Sequence, residues 1–380
     1  MTRGVRHLLA VALGATALLA GLPSQAQTPA SGEPIKIGVL LPLTGAGAGL
    51  GIPISNGARL AEKTINANGG YKGRPLKLII EDDATNPDTA ISKANGLIHG
   101  EKVIALLGPV QTANTVAVGG LTHPIGLPHV AVSGLGPAVE RERKCVLHQG
   151  PSQELNARAM LEYAKHIGAK KIAVLYDSGY GTVVFTELRK LNAAYGVEFI
   201  ATEKFEVAAT DTTAQAAKLR ASNPDALFVI GVTGVPIRSI RQLQMKQVII
   251  APSALSSYEV VKSMGDAADN IVFAEFLVGE DPLPQQKEFV ALYNKEHGRF
   301  PKLVEAIGWD SVHIVLAALN KVGPDAGNAK LCEAMRGPHA GMLANYDFSA
   351  DDLNGIKVSS FIFSKLVAGQ FTRLPFRVTQ

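Results

Sequence analysis

The chain has 380 residues, 37 basic and 33 acidic, with 47% hydrophobic residues and only two cysteines. It is too long for a typical single core and suits two domains. The near-balance of charge and the absence of basic blocks exclude a nucleic-acid or anionic-membrane binder, and two cysteines exclude a disulfide-framework fold.

The N-terminus carries Arg3 and Arg6, then an apolar run from Leu8 to Leu19, then a polar stretch ending in Ser24-Gln25-Ala26. This three-part pattern predicts a secretory signal over residues 1–26, cut near Ala26, and a mature protein in the periplasm. The apolar core is too short to span a bilayer comfortably. No later stretch is expected to be apolar enough for a transmembrane helix.

Short runs rich in Val and Ile then alternate with helical patterns. Ile37–Leu41, Leu76–Ile80, Val103–Leu107 and His129–Val132 read as buried strands. Ser55–Asn68, stopped by Gly69-Gly70, and the segment after Pro87 read as helices. The pattern restarts: Lys171–Leu175 echoes Lys36–Leu40, and Leu227–Gly231 echoes Ile104–Gly108. Two α/β units in tandem, each a doubly wound Rossmann-like parallel sheet with helices on both faces, are the simplest reading. Beyond about Phe276 helices dominate: Gln285–His297, Val304–Lys321 and Asn328–Met335. Two late strands are expected at Val358–Phe363 and Phe371–Val378. These late segments can return to either unit, which predicts several crossings between lobes and therefore hinge motion. The expected division is 27–147 plus 276–352 for one lobe and 148–275 plus 353–380 for the other.

Ligands of open parallel sheets bind beyond the carboxyl ends of the strands. Six loops therefore matter: Leu43–Gly51, Pro109–Ala113 and Ser133–Pro137 in the first unit; Asp177–Gly181, Val232–Pro236 and Pro252–Ser256 in the second. Gln111, Thr112 and Asn114 open a predicted helix, where free backbone N–H groups favour an anion. Ser133 and Gly134 add a hydroxyl and an approachable backbone. Plain N-capping by Thr112 or Asn114 is the competing reading, and it is compatible with binding. Cys145 and Cys332 can pair in an oxidising compartment; two separate buried thiols are the other reading, and the sequence leaves both open.

Catalytic and cofactor motifs fail. Gly45, Gly47, Gly49 and Gly51 miss the G-x-G-x-x-G spacing and precede no Lys-Ser/Thr pair, so a flexible loop at the cleft edge is expected. Ser133 follows a strand, but Ala131 occupies the first glycine position of a nucleophile elbow. No H-E-x-x-H or paired-cysteine zinc spacing occurs, and Asp82-Asp83 point apart on an extended chain. The reading is a binding protein, not an enzyme, with no cofactor and no metal.

Ile35–Gly45 (IKIGVLLPLTG), Ile65–Gly70 (INANGG), Glu81-Asp82-Asp83, Gly108–Thr115, Tyr176–Gly181 (YDSGYG) and Gly308-Trp309-Asp310 occur in this order over essentially the whole mature chain. The ordered set resembles the branched-chain amino-acid-binding (leucine-binding) proteins of ABC importers. The resemblance implies the type I periplasmic-binding fold, a three-segment hinge and closure around a ligand delivered to a permease in the inner membrane, with the binding protein itself a monomer. It implies that Thr112 holds a ligand carboxylate and that Ser133 and Gly134 offer backbone contacts, with Tyr180, Thr233 and Ser253 closing from the second lobe. Departures from the family pattern are specific. A family hydroxyl appears as Leu135, a first-loop aromatic as Leu50, and a Cys pair as Thr85 and Gln111. The Tyr and Glu near the ligand's ammonium appear as Gly234 and Ser253. The missing Glu points to a carboxylate on an apolar body, aromatic or branched aliphatic, rather than an amino acid. A sensory protein presenting its ligand to a membrane receptor is the alternative function.

Overall fold

The computed structural model describes residues 32–132, 139, 141–350, 353–367 and 369–378. The calls on residues 1–26, and on Ser133, Gly134 and Leu135, lie outside these.

The first unit runs β1 (Ile35–Leu41), α1 (Ala48–Ala67), β2 (Leu76–Asp82), α2 (Pro87–Asn95), β3 (Leu106–Leu107), α3 (Thr112–Thr122), β4 (His129–Ala131) and β5 (Val146–His148). The second runs α4 (Gln153–His166), β6 (Lys171–Asp177), α5 (Tyr180–Leu191), β7 (Glu198–Phe205), α6 (Thr213–Ala221), β8 (Ala226–Ile230), α7 (Val235–Gln242), β9 (Val248–Pro252), α8 (Tyr258–Met264) and β10 (Ile271–Glu275). The first sheet is ordered β2-β1-β3-β4-β5 and is parallel throughout. The parallel part of the second is ordered β7-β6-β8-β9-β10. The two units repeat one topology, which accounts for the echo between Lys36–Leu40 and Lys171–Leu175. The inner strands β1, β8, β9 and β10 are buried on both faces and so read as continuous apolar runs, whereas the edge strand β7 is largely exposed or half-buried and mixed in character.

The rest of the chain serves both sheets. Helices α9 (Lys287–His297), α10 (Leu303–Val322) and α11 (Asn328–Arg336), with the hairpin β11 (Pro338–Ala340) and β12 (Asn345–Asp347), attach to the first. Gly57 of α1 and Gly308 of α10 let these helices cross backbone to backbone: a Cβ on Gly57 would overlap the Glu305 carbonyl, and one on Gly308 the Ile54 carbonyl. Asp310 then accepts from the amides of Met342 and Leu343 and the hydroxyl of Tyr346, each at 2.9 Å, pinning the hairpin to α10. Strands β13 (Ile362–Val367) and β14 (Gln370–Arg373) return to the second sheet, β13 antiparallel to β10 and β14 antiparallel to β13. The chain thus passes between the two bodies at 149–152, 276–286 and 348–361. The first and third passages run side by side, His148 donating to Leu353 O at 2.8 Å and Gly355 donating to His148 O at 2.9 Å.

Some boundaries differ from expectation. Helix α1 begins at Ala48, not Ser55, so Gly49 and Gly51 are helical rather than part of a flexible loop. Pro53 sits inside this helix, near its start, where it removes only one backbone bond. Only Leu106–Leu107 of Val103–Leu107 form a regular strand, because a π-helical turn at Gly96–Glu101 and left-handed Lys102 delay the entry. Val358–Ser360 form a 3₁₀ turn. After Arg373 the chain leaves the sheet at Pro375, which has no ladder donor, and Phe376 packs on Tyr163, His166 and Phe363. Helix α10 is long and apolar enough to cross a membrane, which corrects the expectation that no later stretch would be; 67% of its apolar window is buried in the protein's own core.

Candidate functional site

The carboxyl ends of β1, β2 and β3 converge on one knot of polar bonds. Asp82 accepts from the amides of Leu43 (2.8 Å) and Thr44 (3.2 Å) and from the Thr44 hydroxyl (2.6 Å). Desolvation pushes this carboxyl up, but the Thr44 hydroxyl and the amides outweigh it and hold it below the ordinary carboxylate range. Thr85 accepts from the Gly47 amide at 3.0 Å and donates to Thr44 O at 3.1 Å. Gln111 packs its amide on Gly47. Thr85 thus anchors the entry to α1 by hydrogen bonds, and Gln111 packs beside it.

Next to this knot, Gly108 adopts φ +83°, where an added Cβ would overlap the Leu40 carbonyl. Its own carbonyl is held by Nε2 of buried His129 at 2.5 Å, while Nδ1 meets the Thr122 hydroxyl at 3.2 Å. Burial lowers the His129 pKa to about 4, so the ring is neutral. This fixes the turn that opens α3. Gln111 is the N-cap residue but makes no side-chain capping bond, and Thr112 is the first helical residue. The Thr112 hydroxyl therefore does not cap α3; it stands exposed beside the free amides of the first turn. The Gln111 Oε1 is buried without a hydrogen-bond partner.

On the second sheet, Asp177 ends β6 and accepts from the amides of Gly179 (3.0 Å) and Gly181 (2.6 Å), which sets the start of α5. Tyr180, half-buried, is the first residue of that helix; desolvation and the Asp177 charge push its phenol well up, so it stays protonated. Thr233 presents a buried Oγ1 with no hydrogen-bond partner. Gly234 is closed off: a Cβ there would meet Met264 and Ser263 of α8, leaving no room for an aromatic side chain on that side. Ser253 begins a 3₁₀ turn, and its carbonyl accepts from Ser256 Oγ at 3.0 Å.

Two glutamates near these loops are paired, whereas Asp83 and Asp177 each keep one buried carboxylate oxygen without a hydrogen-bond partner. Glu275, at the end of β10 and 1% exposed, accepts from Ser256 (2.9 Å), Ser364 and Lys302 (3.2 Å). Glu305 accepts from Arg299 at 2.6 Å and from the Lys302 amide at 3.0 Å. Apolar side chains do face water in the first turns of α1 and after β8: Leu50, Ile52 and Val232 are exposed by 45%, 47% and 41%. Sequence reasoning missed Glu275 and Lys302; a lone acid inside the apolar run Ile271–Leu277 was the available signal. Among the described residues, no group of three His, Cys, Asp or Glu is placed to hold a metal ion. The sulfurs of Cys145 and Cys332 are bonded, with Cα atoms 5.5 Å apart, joining the segment before β5 to α11.

A family profile described as periplasmic binding protein matches residues 34–357. The chain belongs to the periplasmic binding protein family. It is a solute-binding protein of the periplasm, not an enzyme. The binding protein is 27% identical over 372 residues to the Leu/Ile/Val-binding protein homolog 7 of Brucella melitensis, covering 92% of this chain and 91% of that one. It is 23% identical to the leucine-, isoleucine-, valine-, threonine- and alanine-binding protein of Pseudomonas aeruginosa, covering 92% and 96%. Two solved structures share the fold. One is the branched-chain amino acid transporter binding protein LivJ of Streptococcus pneumoniae with isoleucine (TM-score 0.76, 22% identity, 90% of this chain and 100% of that one). The other is an ABC transporter solute-binding protein of Rhodopseudomonas palustris with 3,4-dihydroxybenzoic acid (TM-score 0.75, 24% identity, 90% and 96%). The type I fold and the resemblance to the leucine-binding proteins are both borne out.

Proposed function

We propose that this binding protein captures a small carboxylate with an apolar body and passes it to an ABC permease in the inner membrane. The lobes in this reading are 27–147 plus 276–352 and 148–275 plus 353–380, and residues 1–26 are removed after export. The observation that carries the ligand class is the pairing of two glutamates, Glu275 with Lys302 and Glu305 with Arg299. A buried α-ammonium without an acceptor costs several kcal/mol, so two glutamates already neutralised disfavour an amino acid; Asp177 keeps one buried oxygen without a hydrogen-bond partner, which is what the amino-acid reading would require. The exposed Thr112 hydroxyl and the α3 amides suit the carboxylate. Leu50, Ile52 and Val232 suit the apolar body. Tyr180, Thr233 and Ser253 approach it from the second lobe, and Ser133, Gly134 and Leu135 complete the first.

The names of the relatives favour a second reading, a branched-chain amino acid. The fold does not choose, since the two solved complexes hold isoleucine and 3,4-dihydroxybenzoate. Calorimetric titration with leucine, isoleucine, valine, benzoate, 3,4-dihydroxybenzoate and short branched acids decides. Heat from one or more acids with none from leucine is the expected result. Tight leucine binding without response to the acids overturns the carboxylate reading.

A further inference from the structure

The chain makes its second passage between the two bodies at 276–286, and that passage is closed at its base by one buried ion pair. Lys302 opens α10, which is locked to α1 and so to the first sheet. Glu275 ends β10 of the second sheet. Their charged atoms meet at 3.2 Å, and Lys302 is 7% exposed. Among the described residues, the other partners of the two charged groups belong to the second sheet or its loops. Ser256 and Ser364 donate to Glu275, and the Lys302 ammonium lies 3.3 Å from the Phe371 ring centre and 5.0 Å from that of Tyr258. Lys302 is thus a cation of one body seated in a socket of the other. Ser256 carries the link onward, donating to the carbonyl of Ser253 in a cleft loop.

We propose that Lys302 and Glu275 form a pivot pin: the pair fixes the point about which the bodies turn, and it sets the rest angle of the empty protein. The inference rests on the reading that the bodies move as lobes. Buried ion pairs contribute little net stability against apolar replacements, but breaking one strands a charge, so their geometry is strictly held. With the second passage pinned, bending falls to the first and third, which are joined by backbone bonds between His148 and the Leu353–Gly355 segment. Lys302 is a positioning residue here, acting on the cleft through Glu275 and Ser256.

The test uses ligand-free mature protein, so it does not depend on which solute binds. Spin labels go on Ser92→Cys in α2 and Ala217→Cys in α6, both exposed and one on each body. The distance between them is read by pulsed electron spin resonance. The unsubstituted pair should give a single narrow distance peak. Lys302→Met and Glu275→Gln should each lose it to a broad distribution, and Lys302→Arg should restore it. Glu275→Gln keeps an acceptor for one of the two serine hydroxyls and offers its NH2 to the oxygen of the other, so it decides the matter if Lys302→Met folds poorly. Narrow, unshifted peaks in the variants overturn the pin, including the case in which Lys302→Met loses solute affinity while the peak stays narrow. A failed carboxylate reading shows in the titrations and leaves this measurement untouched.

Discussion

Thr112 illustrates how little separates a capping residue from a binding residue. A threonine at a helix start would ordinarily be assigned to capping, yet here Gln111 holds the cap position and the Thr112 hydroxyl makes no cap bond. Replacing it should therefore cost little stability. Thr112→Ala is expected to weaken solute binding by about 1–3 kcal/mol with an unchanged melting curve, as read by titration and calorimetry on the same preparation. The buried histidines make a different prediction. Burial lowers both His129 and His148 to about 4 from an ordinary value of 6.5. A folded pKa below the unfolded one means that the unfolded state takes up protons first. The stabilisation is complete above pH 6.5 and is lost as pH falls toward 4, on the order of 3 kcal/mol per ring. Denaturant midpoints should therefore drop over that window, and His148→Gln should flatten part of the drop.

The strands were legible because buried parallel strands leave uninterrupted apolar runs, and the helices because their faces repeat with the helical period. Boundaries were less so. Helix α1 starts well before Ser55 and carries Pro53 inside it, where the ring removes one backbone bond of the helix. The start of β3 is set by left-handed Lys102, a conformation that composition does not announce. In the candidate site, the loops followed from topology and Thr112 from its place at a helix start. The socket around Glu275 did not, because Ser256, Lys302 and Ser364 are far apart in sequence and meet only in the folded chain. The cysteines were equally silent about each other, standing 187 positions apart. Both belong to the first body, so Cys332→Ser should lower stability by about 2–5 kcal/mol while leaving solute affinity nearly intact, measured by melting and titration in parallel.

In the proposed reading, Leu50, Ile52 and Val232 face water until solute covers them. Solute can favour a closed arrangement only through contacts that form there. Small-angle scattering should show a smaller radius of gyration when a bound acid saturates the protein. An unchanged radius would argue against closure, whatever the affinity.

The bond between Cys145 and Cys332 has a topological consequence. Residues 146–331 form a covalent ring, and this ring contains the whole parallel part of the second sheet together with two of the three passages. A single protease cut at any loop inside it opens the ring without releasing a fragment. Nicked protein should migrate as one species on a gel without reductant and separate into two when thiol is added, so the periplasmic molecule tolerates a broken backbone where a linear chain would fall apart.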